Sequence, residues 1–121
     1  MLREIPGQNV QQQGRRWFAS PDADLYVWEN RQGDIESFEY CYRVRSSEFS
    51  LRWHFTRGFE HAQVDAGELS PFKNNTPINI AATGPDWGQV AKHFRLQGIM
   101  LEAALYRFIL HKLYHTYCDP D

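Results

Sequence analysis

The stretch from Phe38 to Phe55 constrains the fold most, because large apolar side chains alternate with polar ones along it in two runs. Period-two alternation predicts two half-buried β-strands, and Ser46 and Ser47 between the runs predict an antiparallel hairpin. With these two serines as the turn, the predicted pairs are Arg45 with Glu48, Val44 with Phe49, Tyr42 with Leu51, Tyr40 with Trp53, and Phe38 with Phe55. The hairpin therefore has one apolar face and one polar face.

Further strands and loops are predicted on both sides of this hairpin. Shorter runs predict strands at 15–18, 25–28, 59–64 and 77–81, and turn-forming residues predict a hairpin loop at 30–34. The segment from Asp65 to Thr76 is polar and long, and long loops often carry functional residues.

The end of the chain changes to helical spacing. Thr83 is the predicted N-cap of a first helix, and Gly98 is expected to break or bend it. A second helix is predicted from about Ile99 to Tyr114, with apolar side chains around most of its circumference. Such a helix needs cover on two sides: the sheet can supply one, and the first helix or a second copy of the protein must supply the other. We predict a homodimer that forms through this C-terminal helix.

These elements predict an α+β fold. We expect an antiparallel meander sheet of five or six strands, covered on its aromatic face by two C-terminal helices. Residues 1–14 are predicted to be a mobile N-terminal tail or an edge extension, and residues 15–121 a single domain. A small barrel closed by a C-terminal helix is the structural alternative.

Size and charge narrow the class of protein. A chain of 121 residues with a net charge of −2 is one domain without the basic balance of a dedicated nucleic-acid binder. Arginine next to aromatic residues could stack single-stranded nucleic acid, but Trp53 is assigned to the core, so we do not expect this partner. No run predicts a membrane span or signal peptide, Cys41 and Cys118 are expected to be free thiols, and the predicted location is cytoplasmic.

The polar face of the central hairpin holds the first candidate site. The predicted register pairs Glu39 with His54 and Cys41 with Arg52. If Ala62 and Val64 point inward, His61 joins this polar face. Carboxylate, imidazole and guanidinium groups together could bind an anion or a metal, or transfer protons. A solvated outer face of a sheet is the simpler interpretation.

Two further groupings contain residue types that bind metals. His61, Asp65 and Glu68 surround a predicted strand end, where Asp65 and Glu68 could bind a cation, but a turn stabilised by Asp65 explains them more simply. His111 and His115 have a zinc-compatible spacing, which charge complementarity at a helix C-terminus also explains. We predict no cofactor and no metal.

Several segments resemble a family of short bacterial proteins to which no activity is assigned. They are Arg16-Trp17-Phe18, Asp24-Leu25-Tyr26-Val27-Trp28, Gly58-Phe59-x-His61-x-x-Val64-Asp65-x-Gly67-Glu68, and Thr76-Pro77-Ile78. The resemblance covers about the first two thirds of the chain and implies a bacterial cytoplasmic protein. It implies no catalytic residues.

Two functions remain open at this point. The first is a non-catalytic binding or protein-interaction module that self-associates and binds a protein or a small anionic ligand through Arg52, His54, His61, Glu39 or the loop with Asp65 and Glu68. The second is a small metal-dependent or acid–base enzyme that uses Glu39, His54 and His61.

Overall fold

A computed structural model describes residues 1–6, 14–44, 47–64 and 86–118. These residues form six strands and two helices. The strands are β1 (Arg3–Glu4), β2 (Arg15–Ala19), β3 (Ala23–Glu29), β4 (Ile35–Val44), β5 (Ser47–His54) and β6 (Gly58–Val64), and the helices are α1 (Trp87–Gln97) and α2 (Ala103–Cys118). All strands pair antiparallel in chain order. The predicted α+β meander with two C-terminal helices is confirmed.

One face of the sheet, called the inner face, packs against the helices. Its buried side chains are Phe18, Leu25, Val27, Phe38, Tyr40, Tyr42, Leu51 and Trp53. Aromatic contacts join it to the helices: the ring centroids of Tyr40 and Phe94 lie 5.5 Å apart, as do those of Trp53 and Phe108. The opposite face is called the outer face.

The register of the central hairpin differs from the prediction by two residues. Tyr42 pairs with Phe49 and Tyr40 pairs with Leu51, and Ser47 belongs to β5 rather than to the turn. A shift of two residues keeps every side chain on its predicted face, because side chains alternate with a period of two. It does move Phe55 beyond the strand, where its side chain is 59% exposed rather than paired with Phe38.

The side chains of β6 point to the opposite faces of the sheet from those predicted. Leu51 pairs with His61 and Trp53 pairs with Phe59, so His61 lies on the inner face. Ala62 pairs with Ser50 on the outer face. The observed register lets the Phe59 ring contact Trp87 at a centroid distance of 4.9 Å, and this buries more apolar surface than Ala62 could.

Helix boundaries also differ from the prediction. Asp86, not Thr83, caps α1, because its carboxylate accepts a hydrogen bond from the Gln89 amide at 3.1 Å. Gly98 ends the helix as predicted, since its amide donates to the Phe94 carbonyl. Helix α2 begins at Ala103 rather than at about Ile99.

The described apolar side chains of α2 from Leu105 to Tyr114 pack, fully or partly buried, within the same chain. Leu105, Ile109 and Leu113 are buried, and Tyr106 stacks on Phe94 of α1 at 5.6 Å between centroids. The sheet and α1 therefore supply the two covers that the sequence required. Large exposed apolar side chains occur instead around the connection of the helices, namely Leu96 (65% exposed), Ile99 (66%) and Met100 (62%).

The sixth strand comes from the N-terminal segment. Residues 3 and 4 form β1 at the edge of the sheet, Leu2 is fully buried, and the Leu2 amide donates to the Gln97 carbonyl at 2.7 Å. The strand predicted at 77–81 lies outside the described residues. Within the described ranges, neither helix is long and apolar enough to cross a membrane.

Candidate functional site

A row of outer-face residues across β3, β4 and β5 creates a hollow near one end of the sheet. Trp28 pairs with Ser37, and Ser37 pairs with His54. Because neighbouring strands lie about 4.8 Å apart, the two ring-bearing residues stand about 10 Å apart across the small serine. The resulting cavity, called the outer pocket, has a volume of about 360 Å³ and is lined by Trp28, Glu36, Ser37, Arg52, His54 and Arg57.

A β-bulge places Glu36 at this pocket. Trp28 pairs with Ser37 but Glu29 pairs with Ile35, so β4 contains one extra residue at Glu36. The bulge lets Ile35 pack against the core while the next residue lines the outer pocket. The Glu36 carbonyl accepts a hydrogen bond from the Phe55 amide at 2.9 Å, which holds the bulge to the turn after β5.

The turn between β5 and β6 positions a histidine and an arginine. Gly58 has φ of +76°, a left-handed conformation that favours glycine, and Arg57 before it is exposed. The Nδ1 atom of His54 accepts a hydrogen bond from the Thr56 amide at 3.2 Å. The neutral ring therefore carries its hydrogen on Nε2, where it acts as a donor.

Basic groups outnumber carboxylates at the lining of the outer pocket. Arg52, Arg57 and His54 surround the cavity, and Glu36 is the carboxylate that lines it. Arg52 also contacts Glu39, which stands opposite it on β4, at 3.5 Å between Nη2 and Oε1. Five N–H donors on one guanidinium allow Arg52 to bind a further acceptor while this contact persists.

An aromatic strip extends from the outer pocket toward β1. Trp28, Tyr26 and Trp17 form it, with 6.3 Å between the centroids of the first two rings and 6.0 Å between those of Tyr26 and Trp17. The Arg15 guanidinium lies 5.3 Å from the centroid of the Tyr26 ring. The buried residues of β3 are Ala23, Leu25 and Val27, so alternation alone directs Tyr26 and Trp28 outward.

Cys41 lies on the outer face away from the pocket. Its sulfur is 3.2 Å from the Ser50 hydroxyl, and it is a free thiol. Burial raises the pKa of the Cys41 thiol to about 12, so it is protonated at neutral pH. Cys41 is therefore a small packing residue rather than a nucleophile.

The predicted cluster of Glu39, His54 and His61 does not form. Glu39 faces Arg52 rather than His54, and His61 lies on the other face of the sheet. There, the Nε2 atom of His61 is 2.9 Å from the Tyr42 hydroxyl, and its ring stacks on Phe49 at 5.5 Å between centroids. Burial lowers the pKa of His61.

Of the remaining predicted site residues, only some lie among the described residues. Asp65 and Glu68 lie outside the described residues. His111 is exposed on α2. Within the described ranges, no group of three or more histidine, cysteine, aspartate or glutamate side chains is arranged to hold a metal ion.

A second, larger cavity of about 660 Å³ runs along α1. Its basic lining residues are Arg43, Lys92 and His93. Arg43 is already held by Asp24 at 2.9 Å and Glu48 at 3.8 Å. Lys92 forms no ion pair within the described ranges, and Asp86 adds an acidic residue to the lining of this cavity, which is called the α1 groove.

Comparisons with protein-family models, with curated proteins and with solved structures find no match to this chain.

Sequence reasoning found part of the outer pocket and missed the rest. Arg52 and His54 were candidates, whereas Trp28, Glu36, Ser37 and Arg57 were not. A signal for Trp28 was available, because alternation in β3 places it on the polar face. Nothing in the sequence indicated the bulge that brings in Glu36.

Proposed function

We propose that this chain is a non-catalytic binding module that takes up a small anionic ligand in the outer pocket. The observation that carries the proposal is that Arg52, Arg57 and His54 all line one cavity, while Nδ1 of His54 is already engaged by the Thr56 amide. Guanidinium groups bind carboxylates and phosphates through paired N–H donors. Ser37 also lines the pocket, and its hydroxyl can donate a further hydrogen bond.

The charge of Arg57 supports this site over the rest of the outer face. Arg43 is matched by two carboxylates, and Arg52 by Glu39, whereas Arg57 forms no ion pair with any residue in the described ranges. An exposed arginine beside a cavity attracts anions most strongly at low ionic strength. Arg57 is therefore available to bind an anion, and Arg52 can bind the same anion through N–H donors that Glu39 does not use.

Isothermal titration with inorganic pyrophosphate at low salt tests the proposal. The Arg57→Gln variant should bind about tenfold more weakly, because a hydrogen bond to a charged group contributes about 1.5 kcal/mol or more. Arg107→Gln is the matched control, since it removes the same charge from the exposed side of α2. Absence of binding to the unmodified protein, or equal weakening by both variants, would contradict a site at the outer pocket.

We also propose that the module self-associates through the exposed apolar patch formed by Leu96, Ile99 and Met100. These three apolar side chains lie within five positions of the chain and are each more than three fifths exposed, which favours their burial against another surface. Sedimentation equilibrium should show a dimer that Ile99→Glu dissociates and that Phe55→Glu, at an exposed apolar residue elsewhere, does not. A monomer at all concentrations would contradict self-association.

A further inference from the structure

We infer that the ligand of the outer pocket joins a planar ring to its anionic group and is of the size and kind of a nucleoside monophosphate. The inference rests on the proposed anion site and adds a second requirement to it. The anion binds at Arg52 and Arg57, and the ring binds against the indole of Trp28, which lines the same cavity.

The spacing across the pocket fits one planar ring. Trp28 and His54 lie on the first and third of three adjacent strands, with Ser37 between them. Their backbones are therefore about 10 Å apart. Aromatic rings stack with centroids about 4.5 to 7 Å apart, so a ring above Ser37 contacts both walls.

The indole wall is held in place before any ligand arrives. Tyr26 lies against Trp28, and Trp17 lies nearly parallel to Tyr26 with an interplanar angle of 10°. A wet face of an antiparallel sheet does not require a strip of three large aromatic side chains. Rings that are already ordered lose little further entropy when a ligand stacks on them.

Glu36 indicates that the ligand also has hydrogen-bond donors. A carboxylate in a site for a simple anion weakens binding by like-charge repulsion. Its presence in the lining is favourable if the ligand offers hydroxyl or amino groups, because a carboxylate accepts hydrogen bonds from them. The sugar hydroxyls and ring amino groups of a nucleotide supply such donors.

Size and overall charge favour a single nucleotide over a nucleic-acid strand. The cavity of about 360 Å³ lies at the small end of the range of about 300 to 1,000 Å³ for ligand sites. A strand would need basic groups along its path, but the net charge is −2 and the outer face pairs Arg43 with Asp24 and Arg52 with Glu39.

Calorimetric titration with AMP, adenosine, ribose 5-phosphate and pyrophosphate tests the inference on the full chain. AMP should bind at least about fivefold more tightly than ribose 5-phosphate, since stacking of one base on an aromatic side chain contributes this much or more. Adenosine should bind more weakly than AMP, because it lacks the anion. Trp28→Leu should reduce AMP affinity to that of ribose 5-phosphate and leave ribose 5-phosphate unchanged.

Two further variants separate the contribution of the Trp28 ring from effects on the fold and on the rest of the aromatic strip. Trp28→Phe keeps a ring in the wall and should retain most of the preference for AMP. Trp17→Leu removes the far ring of the strip, which lies against Tyr26 and does not line the pocket, so AMP affinity should fall by less than it does in Trp28→Leu.

The outcomes separate the two proposals. If pyrophosphate and ribose 5-phosphate bind as tightly as AMP, the ring requirement is wrong while the anion site stands. If neither phosphate compound nor AMP binds, the anion site itself is wrong. If a single-stranded decanucleotide binds more tightly per site than AMP does, the inference of a single-nucleotide ligand is wrong.

Discussion

The hydroxyl oxygen of Tyr40 lies 2.6 Å from Nδ1 of His93, and this contact ties the middle of the sheet to α1. A similar contact joins Tyr42 to His61. Two tyrosines can therefore lie in an apolar core because their hydroxyls reach histidines at its edge.

We expect Tyr40→Phe to destabilise the protein by about 1 to 2 kcal/mol, because it leaves His93 without its hydrogen-bond partner in a partly buried position. Urea unfolding followed by circular dichroism measures the change. Tyr114→Phe is the control, since the Tyr114 hydroxyl accepts from Arg95 at the exposed surface and should not shift the midpoint. Equal midpoints for Tyr40→Phe and the unmodified protein would contradict this role.

The stability should decrease as the pH falls below about 6.5. Burial lowers the pKa of His61 and of His93 below the ordinary value of 6.5, although the Arg43 backbone and Asp22 oppose the shift at His93. Both rings are neutral in the folded and unfolded chain above that pH. On acidification the unfolded chain binds protons first, so the free energy of unfolding falls.

Urea midpoints measured between about pH 5 and pH 7.5 check this dependence. Replacing both histidines, as His61→Gln and His93→Gln together, should flatten the decrease. His111→Gln, at an exposed position on α2, should retain it. A decrease of the same slope in the double variant would show that other groups cause it.

Side-chain alternation predicts the face of a residue but not its register. Tyr42 opposite Leu51 and Tyr42 opposite Phe49 bury the same face, and the two registers differ only in the position of the turn. For β6, the face itself depends on the length of the turn that precedes it. The sequence pattern could not decide whether Ala62 or Phe59 points inward before that turn was known.

The observed register can be tested by a cross-strand disulfide. Cys41 pairs directly with Ser50, and their side-chain atoms lie 3.2 Å apart. Ser50→Cys should therefore form a disulfide on mild oxidation, because opposite residues in antiparallel strands have suitable Cα separations of about 4.5 to 5.5 Å. Thiol titration and intact mass measure its formation. Arg52→Cys, which would face Cys41 in the register predicted from the sequence, should remain reduced.

The N-cap of α1 gives a further test of the helix boundary. Asp86→Ala should cost about 1 kcal/mol, since it removes the acceptor for the Gln89 amide. Asp86→Asn keeps an acceptor oxygen and should be nearly as stable as the unmodified protein. Thermal unfolding of the two variants measures the difference. Equal stability of Asp86→Ala and Asp86→Asn would contradict the cap.

The candidate site was predictable where alternation determines it and not where irregular backbone does. Arg52 and His54 follow from the pattern of β5, and Trp28 follows from that of β3. The bulge at Glu36 and the turn that brings Arg57 beside His54 depend on backbone pairing across strands. These contacts decide whether the polar face is flat or concave.

Locating the bound anion tests most directly the claim that the outer pocket is an anion-binding site. An amide proton–nitrogen correlation spectrum of isotope-labelled protein, titrated with pyrophosphate, reports the contact at each residue. We expect amide chemical-shift changes that saturate at Ser37, His54 and Arg57, and only small changes along α1. Saturating shifts at Lys92 and its neighbours in the α1 groove, with none at the outer pocket, would contradict it.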